Sequence, residues 1–122
     1  MSDAETLFEK IIAREIPADV VHETDRTIAF RDINPQARVH VLVVPKTRYR
    51  HVAELTEADP ALLAEVLGTA ATVARLEGIA ESGYRVVFNT ESDAGQTVFH
   101  VHAHVLGGEQ LGFFGSAAGG PG

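Results

Sequence analysis

Apolar positions recur first at helical spacing and then in strand-like runs, and the changes of period mark out the elements. Leu7, Phe8, Ile11 and Ile12 fall on one helical stripe, and Pro17 lies where a helix must already have ended, so a short amphipathic helix is predicted near residues 4–14. Asp19 to Glu23 and the β-branched and aromatic stretch Thr27 to Ile33 flank a polar break at Asp25-Arg26, the pattern of a hairpin. After the turn Asn34-Pro35-Gln36, Val39 to Val44 is an apolar run of strand length closed by Pro45, which has no ladder donor. From Thr56 the period lengthens. Thr56-x-x-Asp59 offers an N-cap, and Leu62, Leu63, Val66, Leu67, Ala70, Val73 and Ala74 follow at helical spacing up to a stop at Gly78. Tyr84 to Thr90 reads as a fourth strand, Ser92-Asp93-Ala94-Gly95 as a break, and Val98 to Leu106 as the last strand. Five strands and two helices predict an α+β fold: a five-stranded antiparallel sheet with two helices on one face. A single domain over residues 1–111 is expected, followed by a glycine-rich tail at 112–122.

Composition narrows the chemistry. Lys and Arg number 10 against 17 Asp and Glu, a net charge of −7 with neutral His, so the overall field repels nucleic acid and anionic membranes. An individual phosphate remains possible at contact range. Cysteine is absent, which removes disulfides, thiolate nucleophiles and Cys-based zinc sites. Met1 to Lys10 lacks a basic region followed by an apolar core, which leads to the expectation of a cytoplasmic protein.

Three of the six histidines fall in the last strand. His100, His102 and His104 are spaced i, i+2, i+4, so strand periodicity puts them on one face and Phe99, Val101, Ala103 and Val105 on the other. The fold does not require this arrangement, because the apolar face alone serves the core, and three imidazoles in register repel one another once protonated. Two gains would offset that cost. One is a metal held by neutral imidazoles. The other is an anion held beside a neutral histidine that acts as nucleophile or base. Asn89, Ser92, Asp93, Gly95, Gln96 and Thr97 immediately precede the strand and offer hydroxyl and amide groups suited to phosphate oxygens, which favours the second.

Phe99-His100-Val101-His102-Ala103-His104-Val105-Leu106 resembles the histidine-triad motif, in which three His alternate with apolar residues. The stretches Phe8 to Ile12, Glu15-Ile16-Pro17, Ala29 to Ala37, His40 to Lys46 and Asn89 to Gly108 resemble the Hint branch of that superfamily, so the resemblance covers roughly residues 5–111. It implies a purine nucleoside phosphoramidase that is a homodimer with an extended sheet, works without metal or cofactor, and hydrolyses adenosine 5′-monophosphoramidates through a nucleotidylated histidine. Carried over by position, His102 matches the nucleophile, its second ring nitrogen bonded to the His100 carbonyl, and His104 and His40 match the polar groups around it. Asn89, Gly95, Gln96 and Thr97 match the phosphate segment. Asp32 matches the ribose-binding carboxylate, and Leu7, Phe8, Ile11, Phe30 and Ile33 match the purine slot. A related Fhit-type dinucleoside polyphosphate hydrolase and a nucleotide-binding regulatory module are the alternatives. The chain departs from the family at its C-terminus, where Leu111-Gly112-Phe113-Phe114 and the glycine-rich extension stand in place of a short tail with Trp.

Overall fold

The computed structural model describes residues 5–113. Helix α1 (Leu7–Ile12) starts at Thr6, whose hydroxyl accepts from the Glu9 N–H at 3.2 Å, while the Glu9 carboxylate accepts from the Thr6 N–H at 2.8 Å. This reciprocal cap lets a six-residue helix hold its end. Strands β1 (Val20–Glu23), β2 (Thr27–Arg31) and β3 (Val39–Pro45) follow, then helices α2 (Val52–Ala58) and α3 (Pro60–Leu76), strand β4 (Tyr84–Val87), a turn of 3-10 helix at Ser92–Ala94 and strand β5 (Ala103–Gly107). The sheet is antiparallel at every pairing, in the order β1-β2-β3-β5-β4.

Alternation along the central strands divides the core in two. Ala29, Val41, Val43, Ala103 and Val105 face α3 and pack against Leu62, Val66, Ala70, Val73 and Ala74. Ile28, Phe30, Leu42 and Val44 point the other way and pack against Phe8 and Ile11 of α1. The polar member of the first layer is satisfied internally, the Thr27 and Thr69 hydroxyls meeting at 2.9 Å between β2 and α3. Truncating Leu62, which is fully buried, would cost about 2–5 kcal/mol by the usual cavity argument.

The α+β architecture and the five-stranded antiparallel sheet are as expected, with three helices in place of two. The helices lie on both faces. β2 and β3 are apolar on both sides, so α1 covers on the histidine side what α3 covers on the other. Thr56 is not an N-cap. It lies inside α2, its hydroxyl turned back to the Val52 carbonyl at 2.7 Å, and Asp59 caps α3 by accepting from the Leu62 N–H at 3.0 Å, with Pro60 at the first turn. α2 itself begins at His51, whose Nδ1 accepts from the Glu54 N–H. β4 ends at Val87 rather than Thr90, and β5 begins only at Ala103, five residues later than expected. The tail expected beyond residue 111 lies, from Phe114 on, outside the described residues.

Candidate functional site

β3 and β5 carry two histidines into register. Leu42 pairs with His104 and His40 with Leu106, so the two imidazoles are diagonal neighbours on the α1 face, with His40 Nε2 at 2.9 Å from His104 Nδ1. His102 and His100 lie outside the ladder, in the segment that precedes β5. A single backbone bond, from the Val101 N–H to the Tyr49 carbonyl at 2.7 Å, still turns Val101 into the α3-side core and leaves its histidine neighbours on the opposite side. The expected alternation therefore persists without strand pairing. Phe99 departs from it. Its ring is only half-buried and stacks under the Arg50 guanidinium at 4.2 Å instead of entering the core.

The hydrogen bonds fix the proton positions of four neutral rings. A carbonyl only accepts, so His102 Nδ1 donates to the His100 oxygen at 2.8 Å and Nε2 is left with a free lone pair. His100 Nε2 likewise donates to the Pro45 carbonyl at 2.7 Å, and its Nδ1 faces the Thr6 hydroxyl at 3.5 Å. His40 Nδ1 accepts from the Gln36 N–H at 3.0 Å, which puts the His40 proton on Nε2, between His104 Nδ1 and the Asp32 carboxylate at 3.5 Å. Donation to His104 Nδ1 then places the His104 proton on its own Nε2. Burial pushes all four imidazoles below their usual range and keeps them neutral near pH 7. For His104, burial together with the charges that His102 and His40 would carry brings the value to about 4. The bond to the His100 carbonyl opposes the shift of His102, and Asp32 opposes that of His40.

Around these rings is a polar pocket of about 290 Å³, lined by Asp32, Asn34, Gln36, His40, Gly95, Thr97, His102 and His104. Beside it runs an apolar groove of about 680 Å³, whose walls include Leu7, Ile11, Ile16, Phe30 and Ile33. Asp32 lines both, so a ligand reaching from groove to pocket passes its carboxylate. Ile33 is 92% exposed at the rim. Four expected residues stand elsewhere. His100 is fully buried behind the pocket, where it supplies the carbonyl that holds His102. Phe8 is buried, with its ring edge against His102 at a centroid distance of 4.9 Å. Gln96 is buried with its amide spent on the protein itself, accepting from the Glu91 N–H and donating to the carbonyls of Arg50 and Val98. Asn89 does not line the pocket either. Asn34 and Gln36 line it without having been singled out for that. Their turn brings the Gln36 N–H onto His40, a contact four residues apart in sequence that turn chemistry could have suggested.

Among the described residues Asp32, His40 and His104 bring one potential ligand atom each within 4.8 Å of one another. In the arrangement present, the His40 and His104 nitrogens face each other through a hydrogen bond, so a cation would have to break that bond to take both lone pairs. A separate depression of about 600 Å³, between Gly78–Arg85 and Gly108–Leu111, carries no imidazole.

A family model described as the HIT domain matches residues 13–111. The chain is 46% identical over 108 residues to the purine nucleoside phosphoramidase of Escherichia coli, a match covering 88% of this chain and 91% of that protein. It is 45% identical over 112 residues to the adenylylsulfatase HINT1 of Arabidopsis thaliana, covering 90% and 76%. Its fold resembles the crystal structure of a HIT family hydrolase from Legionella pneumophila with a TM-score of 0.85 and 46% identity, over 89% of this chain and 97% of that one.

Proposed function

The chain belongs to the HIT-domain family, and from that premise we propose that it is a purine nucleoside phosphoramidase that hydrolyses the P–N bond of adenosine 5′-monophosphoramidates. The observation that carries this reading is the bond from His102 Nδ1 to the His100 carbonyl, which commits one nitrogen of the ring and leaves the lone pair of the other available to attack. In the first step His102 Nε2 forms a bond to phosphorus while the bond from phosphorus to the amine breaks, and the amine departs with a proton taken up on its nitrogen. In the second, water attacks the nucleotidyl-histidine, gives up a proton, and releases AMP with His102 restored.

The remaining residues take roles suited to their positions. His104 Nε2–H donates to a phosphoryl oxygen, and His40 with Asp32 keeps that proton in place. Thr97 offers a hydroxyl near the leaving amine, and Gly95 leaves room for close approach. Gln96 shapes this segment from behind, and Asn89 precedes it. Asp32 accepts from the ribose diol, while Leu7, Ile11, Phe30 and Ile33 receive the purine and Phe8 backs the His102 ring.

None of the eight residues lining the pocket is Lys or Arg. Such a lining suits a singly charged internal phosphoryl group, and it offers no counter-charge for the additional phosphates that a Fhit-type substrate brings. Hydrolysis rates for an AMP-amine and a dinucleoside triphosphate, measured on the same preparation, test the choice. Preference for the amidate is expected, preference for the triphosphate would overturn it, and AMP binding without turnover of either would favour a regulatory module. Turnover is expected to survive chelation, whereas stoichiometric zinc whose removal stops it would revive the metal reading.

The proposal includes a homodimer in which no nucleic acid or membrane takes part. Leu67 of α3 and Tyr84 of the edge strand β4 are exposed, and both offer apolar surface to a second copy. Sedimentation at micromolar concentration is expected to give a dimer. It also includes a cytoplasmic setting, where nucleotides are at hand; among the described residues no helix is long and apolar enough to cross a membrane.

A further inference from the structure

The turn that leads into the histidine segment contains a residue in a conformation that belongs to glycine. Glu91 has φ 67° and ψ −178°, where a β-carbon crowds its own backbone. Its side chain is held by a fork: Arg50 Nε and Nη2 donate to the two carboxylate oxygens at 2.5 and 3.0 Å, and the guanidinium rests on the Phe99 ring. His51 Nε2 lies 3.6 Å from the same carboxylate. The Glu91 backbone is the hub of the turn. Its carbonyl accepts from the N–H groups of Ala94 and Gln96 at 3.2 and 3.1 Å, and its own N–H donates to the buried Gln96 amide oxygen at 2.8 Å. Gly95, also left-handed with φ 88°, and Thr97 then face the pocket.

We propose that Glu91 and Arg50 are positioning residues for the reacting phosphoryl group, their ion pair holding a strained turn in the shape that sets Gly95 and Thr97 against His102. The proposal rests on the phosphoryl-transfer reading of the pocket. Both side chains are nearly half exposed, and an exposed pair of this kind adds little to stability when it opposes nothing. Here it opposes backbone strain. Without the pair, residue 91 relaxes to a common conformation, and the two N–H groups bound to its carbonyl, those of Ala94 and Gln96, move with it. Glycine at 91 has no strain to relax, so it keeps the turn although the pair is gone. A surface pair with no role in positioning would not distinguish the two replacements.

Glu91→Gln, Arg50→Met, Glu91→Gly and the Arg50→Met/Glu91→Gly double variant separate these cases. Expected are losses of roughly tenfold in kcat/KM for an AMP-amine in Glu91→Gln and Arg50→Met, carried mainly by kcat because the reacting geometry is disturbed. Glu91→Gly stays within about twofold of wild type, and Arg50→Met costs nothing further on that background, since the pair it would break is already absent. In parallel, amide hydrogen exchange at Ala94 and Gln96, the two N–H groups bound to the Glu91 carbonyl, is expected in the ligand-free protein to accelerate in Glu91→Gln and to return to the wild-type rate in Glu91→Gly. Wild-type kinetics in Glu91→Gln, or equal losses in Glu91→Gln and Glu91→Gly, would overturn the proposal. If the wild type does not hydrolyse the amidate, the phosphoramidase reading fails on its own, and the exchange measurement decides: unchanged protection in Glu91→Gln then overturns the positioning role.

Discussion

His40 and His104 sit on paired strands, whereas His100 and His102 sit where the ladder has not yet begun, and the two pairs are held by different means. The first pair is placed by the sheet: β3 and β5 fix both backbones, and the side chains have only to meet. The second is placed by side-chain bonds to carbonyls, His102 to His100 and His100 to Pro45, with Phe8 as a wall. A ladder resists displacement because moving one residue breaks several backbone bonds, while a single carbonyl bond orients a ring and fixes its tautomer without enclosing it. The proposed nucleophile therefore stands on the less regular backbone, and the groups proposed to stabilise charge stand on the more regular one.

The largest effect should come from removing the ring held outside the ladder. His102→Ala is expected to lower turnover of an AMP-amine on the order of 10³-fold or more, as loss of a nucleophile does, while circular dichroism and the melting temperature change little. A residual rate of more than a few per cent would break the assignment. On the ladder side His104→Ala removes one charge-stabilising donor, worth about 10²-fold, and His40→Ala should cost less because it acts through His104. The double variant should fall short of the product of the two single losses, since both disturb one hydrogen-bonded pair. Additive losses would show that the two rings work separately.

The smallest effect is pH dependence, and it applies to all four rings. An imidazole whose folded value lies below its ordinary 6.5 binds fewer protons folded than unfolded, so its contribution to stability is fully present above about pH 6.5 and is lost as pH falls from there toward the folded value, about 4 for His104. Denaturant midpoints should decline across that window, and kcat/KM should hold level from pH 8 to 6.5 and then fall as His102 takes up a proton on the nitrogen that attacks. A rate that rises in acid would contradict a neutral nucleophile.

The same contrast explains what could be read from the sequence. Val39 to Val44 is an apolar run of strand length and the α3 stripe keeps a helical period, and both elements formed there because a strand buried on both faces and a helix buried on one impose those patterns. The run from Val98 to His102 alternates, yet it is not strand. Alternation reports which side a residue faces, and the Val101 N–H bond to Tyr49 is enough to keep that without a ladder. α1 was found but its side was not, because the double-sided burial of Ile28, Phe30, Leu42 and Val44 leaves no mark in a period of two. Thr56 and Asp59 could both cap a helix by residue type, and only Pro60 at the start of α3 separates them. By residue type the Gln96 amide suits a phosphate, yet in the fold it is buried and bonded within the protein. Its use by Glu91, Arg50 and Val98 depends on a turn in which Glu91 as well as Gly95 has positive φ, and nothing in the sequence marks Glu91 for that.

The most direct test of the central claim is mass spectrometry of the enzyme caught during turnover. Wild-type protein is mixed with an AMP-amine substrate, quenched in denaturant without acid, and digested. The expected result is one AMP added per modified chain, on the peptide containing His102 and on that histidine, and none in His102→Ala. Turnover in the wild type with no adduct on any histidine, or an adduct on His104 or His40 in its place, would contradict it.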